Sequence, residues 1–243
     1  MIVLIQKREK DMNRMKSLSL LALTVMLVSS CVHIRIGDHH ETEVKAIDQV
    51  TTMNSFNEIG VAGSMSVYYE QDSAYTVRVE APQDAFDKLI IYVKDQELHI
   101  GTKSGVQIGV TSHLNKVKVY VTAPTLTDIA LAGTGTFTAT EALNFNDLDV
   151  DLAGSGHISI SKLTCDELDV EVAGSGDATF QQVSARKVNT EVAGSGKVIY
   201  SALQAENANS EIAGSGKIML SGSVQKHHET VSGSGHIDTS GLK

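Results

Sequence analysis

Asp151, Glu171, Glu191 and Glu211 recur at intervals of twenty residues, and Asp149 and Asp169 stand two places before the first pair. Carboxylates brought together in this way could act as acid and base on a glycosidic bond, or form a track for cations or a basic ligand. An acidic column on an ordinary solvated surface gives the same pattern, with repulsion screened by salt and relieved by Lys187, Lys197 and Lys217. Ser155, Ser175, Ser195 and Ser215 repeat with the same period. Four equivalent serines without an equivalent His and acid indicate turn chemistry, in which hydroxyls bond local backbone groups, and not nucleophiles. The place after each bend holds His157, Asp177, Lys197, Lys217 and His236. A calcium-binding Gly-rich coil needs Asp there in successive units, so no metal is expected. The adjacent pairs His39-His40 and His227-His228 would point to opposite faces of a strand and make poor chelates.

The elements that must position these residues follow from the frame that carries them. An apolar-Ala-Gly-Ser-Gly motif occurs at Leu152 to Gly156, Val172 to Gly176, Val192 to Gly196 and Ile212 to Gly216, with imperfect copies at 131–135 and 231–235. A fixed period of this length is the mark of a solenoid whose units stack on their neighbours. Aligned at twenty-residue steps, apolar residues fall into columns: Leu148, Leu168, Val188 and Ala208; Leu152, Val172, Val192 and Ile212; Ile158, Ala178, Val198 and Ile218; Ile160, Phe180, Tyr200 and Leu220; and Leu163, Val183 and Leu203. Val150 and Val170 begin a further column that weakens to Thr190 and Ser210. Within a unit the spacing is two, the strand period. Each unit is therefore two short strands joined at the Gly-Ser-Gly bend, and the spacing predicts an all-β chain built as a parallel β-helix over 126–243.

Residues 46–125 do not keep the period. Val61-Ala62-Gly63-Ser64-Met65 is a degenerate relative of the motif, and alternating segments at 75–79, 90–93, 97–100 and 117–121 read as strands of a mixed sheet. A single helical turn is expected between Pro82 and Lys88. This part should be continuous with the coil and cover its amino-terminal end, which would otherwise be an open pairing edge.

The chain has 243 residues, 42% of them hydrophobic, with a formal charge of −9. The basic residues are scattered and not gathered on a face, which excludes a nucleic-acid partner. No cofactor motif is present. Residues 1–30 read as an export signal: Arg14 and Lys16 precede an apolar run from Leu18 to Val28, too short to span a bilayer comfortably. Val28-Ser29-Ser30-Cys31 looks like a bacterial lipobox, so Cys31 is expected to carry lipid and to anchor the protein in a membrane. Residues 31–45 then form a polar tether. Cys165 is left without a disulfide partner and reads as a small buried hydrophobe.

The lipobox, the segment Phe56-Asn57-Glu58-Ile59 through Gly63-Ser64-Met65-Ser66-Val67-Tyr68-Tyr69, and the Ala-Gly-Ser-Gly solenoid together resemble the putative autotransporter-adhesin head, or GIN-domain, family of Bacteroidetes lipoproteins. Tyr75 to Ala81 and Lys118 to Pro124 extend the resemblance. It implies a β-helical protein of the cell envelope, anchored by lipid to the outer membrane. Surface lipoproteins of that phylum tend to carry acids soon after the lipidated cysteine. Here Val32-His33-Ile34-Arg35-Ile36 follows and the first acid is Asp38, so cell-surface and periplasmic orientations both stay open.

The functional expectation is a non-enzymatic binding, adhesin-like or structural module with a protein or glycan ligand. The alternatives are a carbohydrate-active enzyme using the acidic face, or a periplasmic partner of an envelope signalling system. Sugar-binding platforms present exposed aromatics, and the chain has no Trp. Tyr68, Tyr69, Tyr75 and Tyr92 are the candidates for an aromatic recognition surface.

Overall fold

The computed structural model describes residues 49–103 and 113–243. The signal segment, Cys31 and the tether, with His39 and His40, lie outside the described residues. The strands are β1 (Thr51–Thr52), β2 (Glu58–Gly63), β3 (Ser66–Gln71), β4 (Thr76–Glu80), β5 (Leu89–Lys94), β6 (Glu97–Thr102), β7 (Lys118–Ala123), β8 (Asp128–Gly133), β9 (Thr136–Asn144), β10 (Asp147–Gly154), β11 (His157–Gly174), β12 (Asp177–Gly194), β13 (Lys197–Gly214), β14 (Lys217–Gly233) and β15 (His236–Leu242). A single-turn helix α1 (Gln83–Phe86) buries Ala85 at the place expected for it.

The fifteen strands of the described residues belong to one continuous sheet that wraps on itself, because β11 to β14 run through one of the two corners unbroken. Two flat walls result. The first is ordered β5, β6, β2, β8, β10 and then the second halves of β11 to β14; the other is ordered β1, β4, β7, β3, β9, the first halves of β11 to β14, and β15. Neighbours from β6 and β7 onward are parallel and keep the motif in register, so Leu152 faces Val172 and Val172 faces Val192. The fold is the β-solenoid with a mixed segment that the period implies.

The interior is made of the expected columns. Leu148, Leu168, Val192, Ile212, Ile158, Val198, Ile160 and Leu203 are fully or almost fully buried. Phe180 and Tyr200 stack one rung apart, with ring centroids 5.1 Å apart and planes within 12°. The weakening column stays inside: Thr190 Oγ1 shares a 2.9 Å hydrogen bond with Tyr200 OH, so neither hydroxyl is left unsatisfied in the core.

The Gly-Ser-Gly corner explains why every unit turns at the same place. Gly194 has φ +126°, and a Cβ there would stand 2.5 Å from the carbonyl oxygen of Gly174 in the rung below. That same carbonyl accepts the Ser195 N–H at 2.8 Å. A Cβ on Gly196 would strike both the Gly176 carbonyl oxygen and Val172 Cγ1 at 2.6 Å. The first glycine is thus demanded by backbone conformation and close approach, the second by close approach to the rung below and by the inward apolar column. The serine between them is exposed.

The amino-terminal segment departs from simple chain order. β2 and β3 form a complete rung around Gly63, paired in parallel with β8 and β9 on one side and with β6 and β7 on the other. The rung made of β6 and β7 comes later in the chain yet lies beneath. Among the described residues the antiparallel pairs are β1–β4, β4–β7 and β5–β6, and they lie at this end of the two walls.

Two substitutions test this architecture. Val192→Asp places an unpaired charge at a fully buried site and should abolish cooperative folding, read by circular dichroism and thermal melting. Gly194→Ala should cost roughly 3 kcal/mol or more, because φ and the Gly174 carbonyl both oppose it, while the exposed Ser195→Ala should stay within about 0.5 kcal/mol in denaturant titrations.

Candidate functional site

The strand alternation that buries Leu148, Val150 and Leu152 turns Asp147, Asp149 and Asp151 outward on the first wall. In register with Asp149 lie Asp169, Asn189 and Asn209 toward the carboxyl end, and Asp128, Glu58 and Glu97 toward the amino end. Glu97, Glu58, Asp128, Asp149 and Asp169 therefore form an uninterrupted column of carboxylates on successive rungs. Asp151, Glu171, Glu191 and Glu211 stack beside it, as the period predicts. At a strand spacing of ~4.8 Å, adjacent like charges repel by about 1 kcal/mol in bulk water and several times that where partly buried.

The column responds differently along its length. At its carboxyl end amides replace acids: Asn209 Nδ2 donates to Asn189 Oδ1 at 2.8 Å, and Asn189 Nδ2 donates to Asp169 Oδ1 and, at 3.3 Å, to Glu167 Oε1. Lys187 Nζ reaches Glu167 Oε1 at 2.6 Å. At its amino end burial, followed by the carboxylates of Asp151, Asp149, Glu58 and Glu97, pushes the Asp128 carboxyl up to about 8. Burial and Glu97 raise Glu58 as well, with His99 opposing them. Asp128 is thus held as a protonated acid among its neighbours near neutral pH.

The lysines expected to relieve the ladder divide between the walls. Lys187 stays on the first wall and pairs with Glu167, beside the ladder, but Lys197 and Lys217 are carried past the bend and stack with His157, Asp177 and His236 on the other wall. Among the described residues no group of three or more His, Cys, Asp or Glu side chains is placed to hold a metal ion.

The four tyrosines do not form one surface. Tyr68 lies on the outer side of the second wall, stacked on Tyr120 at 5.2 Å, and Arg78 covers the Tyr120 ring at 4.0 Å while bonding Glu80. Tyr69 points the other way into the core, 3% exposed, and its hydroxyl donates to Ala123 O at 2.8 Å. Tyr75 packs edge-on against Phe56 at the amino-terminal end. Tyr92 lies on the first wall against His99, ring centroids 4.8 Å apart, beside the acidic column. His227 points inward and His228 outward, as adjacent strand residues must.

Glu58, Glu97 and Asp128 are the members of the ladder that the twenty-residue period does not reach. Glu58 and Asp128 could be found by extending the imperfect motifs at 61–65 and 131–135 back by three residues. Glu97 could not, because its rung is stacked out of chain order.

The family described as putative auto-transporter adhesin, head GIN domain, matches residues 55–243. A crystal structure of a putative adhesin from Parabacteroides distasonis shares 25% identity, covering 83% of this chain and 82% of that one, with TM-score 0.71. A putative adhesin from Bacteroides fragilis shares 22%, covering 83% and 97%, with TM-score 0.64. A putative lipid binding protein from Parabacteroides distasonis shares 21%, covering 82% and 95%, with TM-score 0.59. These likenesses are likenesses of fold. No curated protein matches the chain.

The acidic column predicts an inverted pH dependence. Between the ordinary carboxylate range near 4 and about 8, the folded chain keeps a proton on Asp128 that the unfolded chain has released. Its contribution to stability is therefore full in acid and drains away as pH rises toward 8. Asp128→Asn should raise the melting temperature at pH 8, on the order of a few kcal/mol of stability, and change it little at pH 4. An equal effect at both pH values would contradict the ladder.

Proposed function

The chain belongs to the putative auto-transporter adhesin head GIN-domain family, and from that premise we propose that it is a non-enzymatic binding head of the cell envelope, tethered to the outer membrane through lipid on Cys31. The observation that carries this reading is the solenoid itself. Its walls present side chains in register on every rung, a flat periodic surface suited to an extended or polyvalent ligand. None of the three solved relatives described above is named as an enzyme.

Within that reading the first wall is the ligand face. Its acidic column works against the stability of the fold, and a feature that costs stability while leaving the core untouched fits a surface shaped by recognition. A ligand with cationic groups matches its sign, and binding should weaken as salt rises.

Two measurements test the proposal. Protease added to intact cells should digest the protein if the head faces outward; protection until lysis would turn the search to periplasmic partners. The variant Glu171→Gln/Glu191→Gln should melt no lower than the wild type, since it removes two stacked like charges, yet bind cationic surfaces several-fold more weakly and lose part of its salt dependence. Loss of a glycan-cleaving activity in that variant would replace the binding reading with an enzymatic one.

A further inference from the structure

The two ends of the coil are finished differently. At the amino end the outermost strands pair antiparallel, β1 and β4 on one wall and β5 on the other. At the carboxyl end of the first wall, residues 226–233 of β14 pair with β13 on one side, and among the described residues no strand lies on the other, since β15 pairs only with the 217–222 half of β14. This is an open parallel edge, the kind of strand that recruits another strand.

Its inward positions break the columns they continue. The column of Leu148, Leu168, Val188 and Ala208 ends in His227, and the column of Val150, Val170, Thr190 and Ser210 ends in Glu229. The third column ends in Val231, 43% exposed, whose equivalents Leu152, Val172, Val192 and Ile212 are all buried. The two polar residues are tied together: His227 Nδ1 lies 3.2 Å from Glu229 Oε1, and His227 Nε2 lies 3.2 Å from Ser210 Oγ in the rung beneath. The His227 side chain is 13% exposed and that of Glu229 is 42% exposed, so the carboxylate keeps its contact with water.

We infer that the inward His227–Glu229 pair, seated on Ser210, is a stop that keeps this edge from pairing with the same edge of a second copy of the chain. A second coil docked there would bury the Glu229 carboxylate against another polar pair and strip its water, a cost that backbone hydrogen bonds at the new junction would not offset. With column-consensus residues instead, the edge would offer unpaired backbone groups and an apolar lip continuous with Val231. Two-fold pairing of two such ends would close on itself and give a dimer, not a fibre. The polar last rung is the solenoid counterpart of the capping repeat that other stacked-repeat proteins require.

The test is the protein mass of the full chain, extracted in mild detergent and measured by size-exclusion chromatography with light scattering. The wild type should be monomeric. His227→Leu/Glu229→Val should double in mass with circular dichroism and cooperative melting intact, and adding Val231→Lys, which puts a charge back on the lip, should return it to monomer. If the double variant fails to fold, Glu229→Val alone, which leaves the His227–Ser210 contact, is read by the same criteria. A folded variant that stays monomeric at high concentration would overturn the inference. So would a wild type already dimeric in a manner that Val231→Lys abolishes.

Discussion

The close approach at the Gly-Ser-Gly corner is the constraint on which the rest of the molecule depends. A backbone with φ near +126° at Gly194, with the Gly174 carbonyl where a side chain would begin, lets each rung sit directly on the last. The Ser195 N–H to Gly174 O bond then locks neighbouring rungs together at the bend. Because side chains alternate along a strand, a slip of one residue would send every apolar column outward, so the corner fixes both the turn and the register. Everything placed two, four or six residues from the glycines inherits that register, inside and outside alike.

The acidic ladder is such an inheritance. The same stacking that superposes Leu152 on Val172 superposes Asp151 on Glu171 and Asp149 on Asp169. The fold relieves the charge locally, by amides at Asn189 and Asn209, by Lys187, and by a proton retained on Asp128. None of these devices removes the column, and the amides reach no farther toward the amino end than Asp169 and Glu167. One column of the core carries the opposite pattern: Val150 and Val170 give way toward the carboxyl end to Thr190 and Ser210, where each hydroxyl has a partner.

The coil was legible in the sequence because its signal is long-range and exact in spacing: Leu152, Val172, Val192 and Ile212 need no propensity argument. The amino-terminal segment was legible only as strands. Alternation in Glu97-Leu98-His99-Ile100 shows which side chains share a face but says nothing of which strand lies alongside, and that is why the β6–β7 rung beneath β2–β3, and with it Glu97, escaped the period. The division of the lysines has a different cause. Lys187 lies four residues before Glu191 on the same wall, whereas Lys197 lies six residues after it across the bend, so sequence distance alone could not assign Lys197 and Lys217 to the second wall. The tyrosines failed as a group for the simplest reason: Tyr68 and Tyr69 are adjacent in one strand and must point to opposite sides.

A solenoid can in principle be extended without limit, so its ends have to be specified as deliberately as its repeats. Here the amino end is specified by chain path: β4 and β5 run backward, and an antiparallel strand cannot continue the parallel stack with the corner in register. The carboxyl end of the first wall is specified by composition, since residues 226–233 of β14 pair in continuous register with β13 from Lys226 onward and change what points inward. The same wall therefore carries its ionisable groups in two ways: carboxylates stacked along its outer face, where amides and a retained proton hold the partly buried members, and one ionisable pair turned inward at its last rung, where the coil would otherwise offer its core to a neighbour.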